Sequence, residues 1–162
     1  MARRVGISNV VATIILIAVA IALAVAVAIW AFGLFKSTHA GTLQILDYRL
    51  YVNPSAGNLL GLQVENPTGT VFTVVSVSVG GQSCTYDGAS TSPPTSVSST
   101  APGANGVVSG TNNAVSVYPG ASAWLYYYCG SPGSLQAGVQ YDGTVVLSTG
   151  AVLRFTVVAQ PG

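Results

Sequence analysis

Hydrophobic and polar positions divide the chain into two parts with different rhythms. From Val10 to Phe35 the only polar side chain is Thr13, and no charge lies between Arg4 and Lys36. As a helix rising 1.5 Å per residue, this run would be about 39 Å long, more than the roughly 30 Å hydrocarbon layer of a bilayer. It is therefore long enough to span a membrane. A secretory leader carries an apolar stretch of only about 7–15 residues before its cleavage site, so removal by that route is not expected. Arg3 and Arg4 outnumber Lys36 across the run, which places the N-terminus in the cytoplasm and the chain after Lys36 outside. Trp30 and Phe35 near the outer end suit an interfacial position.

From Thr42 onward the period becomes two, and turn residues punctuate it. Leu46, Leu50 and Val52 share one face of an extended segment with Tyr48, while Asp47, Arg49 and Tyr51 share the other, which predicts a half-buried strand. Asn53-Pro54-Ser55 ends it. Leu60, Leu62 and Val64 restart the alternation up to the turn Asn66-Pro67-Thr68-Gly69, and Val71 to Val79 follows with Val75, Val77 and Val79 alternating against Ser76 and Ser78. Gly80-Gly81 predicts a tight hairpin into Gln82 to Tyr86. Further strands are predicted at 114–118, 121–129, 138–141, 144–148 and 151–158, joined by Pro119-Gly120, Asp142-Gly143 and Thr149-Gly150. Eight or nine short strands in residues 42–162, with no amphipathic helix among them, predict an all-β immunoglobulin-like sandwich. The fold class expected is α+β, a long N-terminal apolar helix followed by that sandwich.

Within the apolar run, Ala18, Ala20, Ala22, Ala24, Ala26 and Ala28 alternate with Val19, Ile21, Leu23, Val25 and Val27. At about 100° per residue the alanines sort into two sets at i, i+4 spacing. Ala18, Ala22 and Ala26 line one side; Ala20, Ala24 and Ala28 line the opposite one. Small residues let helix backbones approach closely, and close packing drives association where the surroundings are apolar. Alanine and valine also make a simple anchor, but two such faces predict contact with neighbours on both sides, hence a polymer.

Composition removes most chemistry. Of 162 residues five are basic and four acidic, for a formal net charge of +1, which provides neither a basic field for nucleic acid nor an acidic tail. One histidine, His39, and scattered carboxylates at Asp47, Glu65, Asp87 and Asp142 argue against a metal site, a cofactor or an acid/base cluster, and so against an enzyme. His39 fits a solvated residue at the helix end.

The segment Arg3-Arg4-Val5-Gly6-Ile7-Ser8-Asn9-Val10-Val11-Ala12-Thr13 resembles the start of archaeal type IV pilins, which carry a class III signal. In that family a short basic leader is cut on the cytoplasmic side, ahead of the apolar helix, and the resemblance places the cut between Gly6 and Ile7. Val5 stands where a basic residue is common, and Val11 where bacterial pilins carry glutamate. The resemblance implies a leader at 1–6, a helix at 7–38 that serves first as membrane anchor and then as filament core, and an extracellular domain at 42–162. It also implies a prepilin peptidase, an assembly ATPase and a membrane platform protein as partners. After such a cut, Lys36, Arg49 and Arg154 face four carboxylates. So few titrating groups predict little loss of stability as pH falls.

Residues 88–113 differ from their surroundings, with 10 Ser or Thr, 3 Pro, 4 Gly, no charge and no aromatic. Such a composition predicts a surface loop outside any packed core. It matches O-glycosylated stretches as well as an unmodified flexible loop, with Ser90, Thr91, Ser92, Thr95, Ser96, Ser98, Ser99 and Thr100 as acceptor candidates. Cys84 and Cys129 flank the segment, and two cysteines in an external β-domain favour a disulfide over two buried thiols. Trp124, Tyr126 and Tyr128 share one face of their strand and Leu125, Tyr127 and Cys129 the other; one face must be core, and the second is either an exposed aromatic patch or a further core layer.

Together these features predict the structural subunit of an archaeal type IV pilus, a homopolymer at the cell surface that is membrane-inserted before assembly. A motility filament subunit (archaellin), a minor pilin and a monomeric membrane-anchored binding module are the alternatives.

Overall fold

The computed structural model describes residues 3–38 and 41–162, with side chains described at 8–32 and 41–162. The chain forms two compact units, Met1–Ala40 and Gly41–Gly162. Helix α1 (Arg3–Thr38) occupies the first. Alanine and leucine favour the helix, and the valines and isoleucines tolerate it once every backbone N–H and C=O is paired within the segment. Thr13 does not break this economy, because its Oγ1 donates to the Asn9 carbonyl at 2.8 Å, one turn back. Ser8–Phe32 is long and apolar enough to cross a membrane. His39 lies outside the described residues, as do the side chains of Arg3, Arg4, Ile7, Phe35 and Lys36.

The second unit contains nine strands: β1 (Gln44–Asn53), β2 (Gly57–Glu65), β3 (Phe72–Val79), β4 (Gln82–Ser90), β5 (Val107–Ser109), β6 (Val115–Val117), β7 (Ser122–Cys129), β8 (Gln140–Leu147) and β9 (Val152–Pro161). They hydrogen-bond in the order β4-β7-β2-β1-β9-β8-β3, and β3 then pairs with β4, so seven strands close on themselves. Strands β6 and β5 extend from the first half of β3. Two seams of the ring are short, at three residue pairs each: the parallel contact of Leu50, Tyr51 and Val52 with Ala159, Gln160 and Pro161, and the hairpin of Val77, Ser78 and Val79 with Cys84, Ser83 and Gln82. Below the first seam β1 and β9 part around a groove lined by Leu43, Gln44, Ile45, Leu153 and Arg154. Inside the ring Leu50, Leu60, Leu62, Val64, Val74, Val77, Leu125, Val145 and Leu147 form one buried cluster with Tyr127.

Three bulges shift the alternation that the sequence suggests. In β1 the register slips between Ile45 and Asp47, so Leu46 is the extra residue and is 49% exposed, while Ile45 packs on the core. Tyr48 does oppose the inward Leu62, yet it stays partly exposed, with its ring 5.5 Å from that of Phe155. In β3 the slip falls between Val74 and Ser76, which turns Val75 outward (45% exposed) and puts Val74 in the core. In β4 it falls between Tyr86 and Gly88. The Gly80-Gly81 hairpin forms with both residues at positive φ (56° and 78°), the geometry that glycine adopts without a steric cost. Asp142-Gly143, expected as a turn, instead lies within β8, so the two predicted strands are one. Gly143 opposes Phe155 across the ladder, and a Cβ there would run into the Phe155 ring. The missing side chain makes room for an aromatic neighbour.

Two buried asparagines hold the ends of the ring. Asn66 donates from Nδ2 to the carbonyls of Thr70 (2.7 Å) and Val117 (2.9 Å), and its Oδ1 accepts from the Thr68 amide and hydroxyl. Its own N–H donates to the Ala121 carbonyl, and its carbonyl accepts from Gly120. The side chain thereby pins the turn after β2 to β6, and the backbone of the same residue ties it to the residues just before β7. At the other end Asn58 donates to the carbonyls of Cys129 and Ser131 and to Ser134 Oγ. Asn66→Ala removes four side-chain hydrogen bonds from a fully buried site, and urea denaturation is expected to show a loss of about 2–3 kcal/mol.

Burial pushes the Tyr127 hydroxyl far above the ordinary tyrosine value, and Tyr86 adds to the rise. The folded state therefore favours the neutral phenol, whereas the unfolded chain ionises near pH 10. Tyr127 contributes its full share of stability below about pH 10, and that share is lost as pH rises above it. Stability followed by circular dichroism is expected to fall above pH 10 in the native protein and to fall less steeply in Tyr127→Phe.

Candidate functional site

From Ile14 to Phe32 helix α1 is apolar all round, and among its described side chains only Ala31 is partly buried. A helix with no polar face is stable in lipid or against other helices, not in water. Ala18, Ala20, Ala22, Ala24, Ala26 and Ala28 are all exposed, as are Ile14, Leu16, Leu23 and Ile29 around them. The backbone at Gly6 and Ile7 belongs to α1. What this element can do chemically is pack, and in apolar surroundings close backbone approach drives that packing.

The second candidate surface is the segment rich in serine and threonine. Contrary to the expectation of a loop outside any core, it packs. Gly88, Ala89 and Ser90 end strand β4, Pro94 and Val97 are buried, and Val107–Ser109 forms β5. Residues 91–104 cover the outer face of β2 and β7, where Trp124 is only 5% exposed and Tyr126 2%, and Leu59 joins them in a second buried cluster. The aromatic face is thus a further core layer, and its cover is the polar segment itself. Pro94 fits over Gly61, the one position of β2 where a Cβ would strike the proline ring. Tyr126 Oη donates to the Ser92 carbonyl (2.8 Å) and Tyr128 Oη to the Val97 carbonyl (3.0 Å). Burial raises the Tyr128 hydroxyl above its ordinary value, with a smaller push from Asp87. At the rim the Arg49 guanidinium lies 5.5 Å from the centre of the Trp124 ring, with Asp47 3.7 Å away on its other side.

This packing sorts the candidate acceptors. Thr91, Ser92, Thr95, Ser98 and Thr100 are exposed, and Ser96 and Ser99 are half-buried. Ser99 Oγ accepts from the Thr95 and Ser96 amides, which closes a small turn. Ser90 is a correction: at 2% exposure in β4, its hydroxyl accepts from the Ser92 amide and presents no face to a modifying enzyme. Cys84 and Cys129 are cross-strand partners joined in a disulfide, with Cα atoms 4.0 Å apart. The bond closes the chain segment that contains the whole cover. Sequence reasoning missed Gly61 with Pro94 and the two tyrosine hydroxyls; an isolated glycine in a strand was the available sign of close approach.

No protein-family profile matches the chain, and no curated protein matches it. Among solved structures, the chain is similar to the archaellum periplasmic stator protein complex FlaF and FlaG from Sulfolobus acidocaldarius (21% identity over 72% of this chain and 88% of that one, TM-score 0.39). It is also similar to the Iho670 flagellar-like filament (15% identity, 93% and 98% coverage, TM-score 0.44) and to the archaellum periplasmic stator protein FlaG from Sulfolobus acidocaldarius (22%, 71% and 97%, 0.38).

The double substitution Tyr126→Phe and Tyr128→Phe removes both hydroxyl contacts to the cover and leaves the aromatic packing in place. It is expected to cost about 1–2 kcal/mol and to speed hydrogen exchange at 91–102 while the β1–β2 amides stay protected.

Proposed function

We propose that the chain is the structural subunit of an archaeal type IV pilus. Its N-terminal helix anchors the precursor in the membrane and then packs in the filament core, and the β-domain forms the filament surface. The observation that carries this reading is the Ser8–Phe32 stretch of α1, apolar and, apart from Ala31, exposed, with the Arg3-Arg4-Val5-Gly6-Ile7 segment directly before it. A peptidase cut between Gly6 and Ile7 would remove the basic residues and leave the apolar helix intact. Ala18, Ala22 and Ala26 on one side and Ala20, Ala24 and Ala28 on the other give neighbouring helices two tracks for close approach. The work of the protein is packing and surface attachment, not catalysis. Assembly then calls on a prepilin peptidase, an ATPase and a membrane platform.

The short seams of the ring support reading the domain as two layers, β4-β7-β2-β1 and β9-β8-β3-β6-β5, of an immunoglobulin-like sandwich. The exposed hydroxyls of Thr91, Ser92, Thr95, Ser98 and Thr100, on the outside of the cover, support reading them as acceptors for O-linked sugar.

The test is mass spectrometry of the N-terminal peptide in material sheared from intact cells and recovered as filaments. A chain beginning at Ile7 in that fraction is the expected result. A chain that begins at Met1 and stays in the membrane would overturn the proposal in favour of an anchored binding module. Ala22→Leu with Ala24→Leu is expected to abolish filaments while membrane insertion persists, since leucine on both tracks holds neighbouring backbones apart. Normal filaments would sink the packing argument. Loss of swimming with surface attachment intact in a deletion strain would assign the filament to motility.

A further inference from the structure

The chain has seven asparagines, and the fold treats one of them differently from the rest. An asparagine loses its amide when the backbone nitrogen of the next residue reaches its side-chain carbon. That attack needs an accessible side chain, a free following N–H and little bulk on the following residue. Asn53 and Asn66 are each followed by proline, which has no N–H to attack with. Asn58 is buried, with its amide nitrogen held by three acceptors. Asn9 sits in α1, where the following backbone is held in helical geometry. Asn112 is followed by a residue bearing a side chain, and the Ala114 amide after Asn113 donates to the Thr111 carbonyl.

Asn105 has none of these protections. It is exposed in the turn before β5, and Gly106 follows it. Among the described hydrogen bonds of this turn, Gly106 takes part through its carbonyl, which accepts from the Tyr118 amide at 2.8 Å, and not through its N–H. The glycine is fixed by two independent constraints. Its φ is +77°, where residues with side chains are strained, and a Cβ would come within 2.7 Å of the Ala121 Cβ. The fold therefore requires, directly after an exposed asparagine, the least hindered successor available.

We propose that Asn105 is a modification site at which the protein spontaneously converts a neutral turn into an acidic one. The Gly106 nitrogen forms a bond to the Asn105 side-chain carbon, the amide nitrogen leaves as ammonia carrying the Gly106 proton, and a five-membered imide results. Water then opens the ring to aspartate or to isoaspartate, with no change of oxidation state. Either product adds a carboxylate to a domain whose described residues include only two cations, Arg49 and Arg154. Isoaspartate also lengthens the backbone by one carbon immediately before the Val107–Val117 pair, where β5 is held by only three residue pairs.

The experiment is timed incubation of the full-length chain in mildly acidic and mildly alkaline buffer, followed by peptide mapping with digestion in heavy-oxygen water to mark any conversion made during work-up. Asn105 is expected to gain unlabelled acid, faster in alkali, by roughly tenfold or more over Asn112 and Asn113. An isoaspartate-specific methyltransferase should label the native chain and not Asn105→Gln. Conversion at Asn105 no faster than at Asn112 and Asn113, or acid that carries the heavy label throughout, would overturn the proposal.

Discussion

A helix without a polar face has to be covered, and no fold of its own residues can cover it. That constraint organises the rest of this protein. Twenty-five residues from Ser8 to Phe32 present mostly valine, isoleucine, leucine and alanine, and the Thr13 hydroxyl in their midst is satisfied one turn back at the Asn9 carbonyl. Such an apolar surface is stable in lipid or against other helices, not in water. The β-domain fills its core with residues of its own strands.

The domain is self-sufficient in a manner suited to its low charge. Its one described ion pair, Asp47 with Arg49, is exposed and weak. Cohesion comes instead from a closed hydrogen-bonded ring filled with aliphatic residues, from two buried asparagines that fasten turns at opposite ends, and from a disulfide between neighbouring strands. Closure also deals with the edge problem, since most strands find partners on both sides. Where β1 and β9 separate, the exposed side chains include Asp47 and Arg49, and charge at an unpaired edge discourages further strand addition.

The sequence made the main elements legible because their signals are strong and local. The uninterrupted apolar run gave the helix, and alternating valines and leucines with glycine or proline turns gave most of the strands. What it did not reveal are features whose cause lies on another strand. A bulge moves one residue out of phase without a mark in the sequence, and so Leu46 and Val75 face outward although their neighbours suggest otherwise. Asp142-Gly143 looks like a turn until Phe155 is placed opposite it. The segment at 88–113 has the composition of a free loop, and only the tyrosine hydroxyls beneath it and the gap at Gly61 explain why it lies flat. The helical spacing of the alanines could be read directly, whereas the burial of Ser90 could not, because it depends on where β4 ends.

The way the cover is attached bears on how freely the outside of the protein can vary. Both tyrosine hydroxyls reach backbone carbonyls, at Ser92 and Val97, and a carbonyl is present whatever the side chain. Pro94, Val97, the Ser99 turn, Ala101, Gly103 and Ala104 tie the cover's amino-acid identity to its shape. The remaining exposed positions, Thr91, Ser92, Thr95, Ser98 and Thr100, are decoupled from the core beneath them. Those residues can be exchanged without reopening the folding problem, so the outer face is interchangeable while the scaffold under it stays the same.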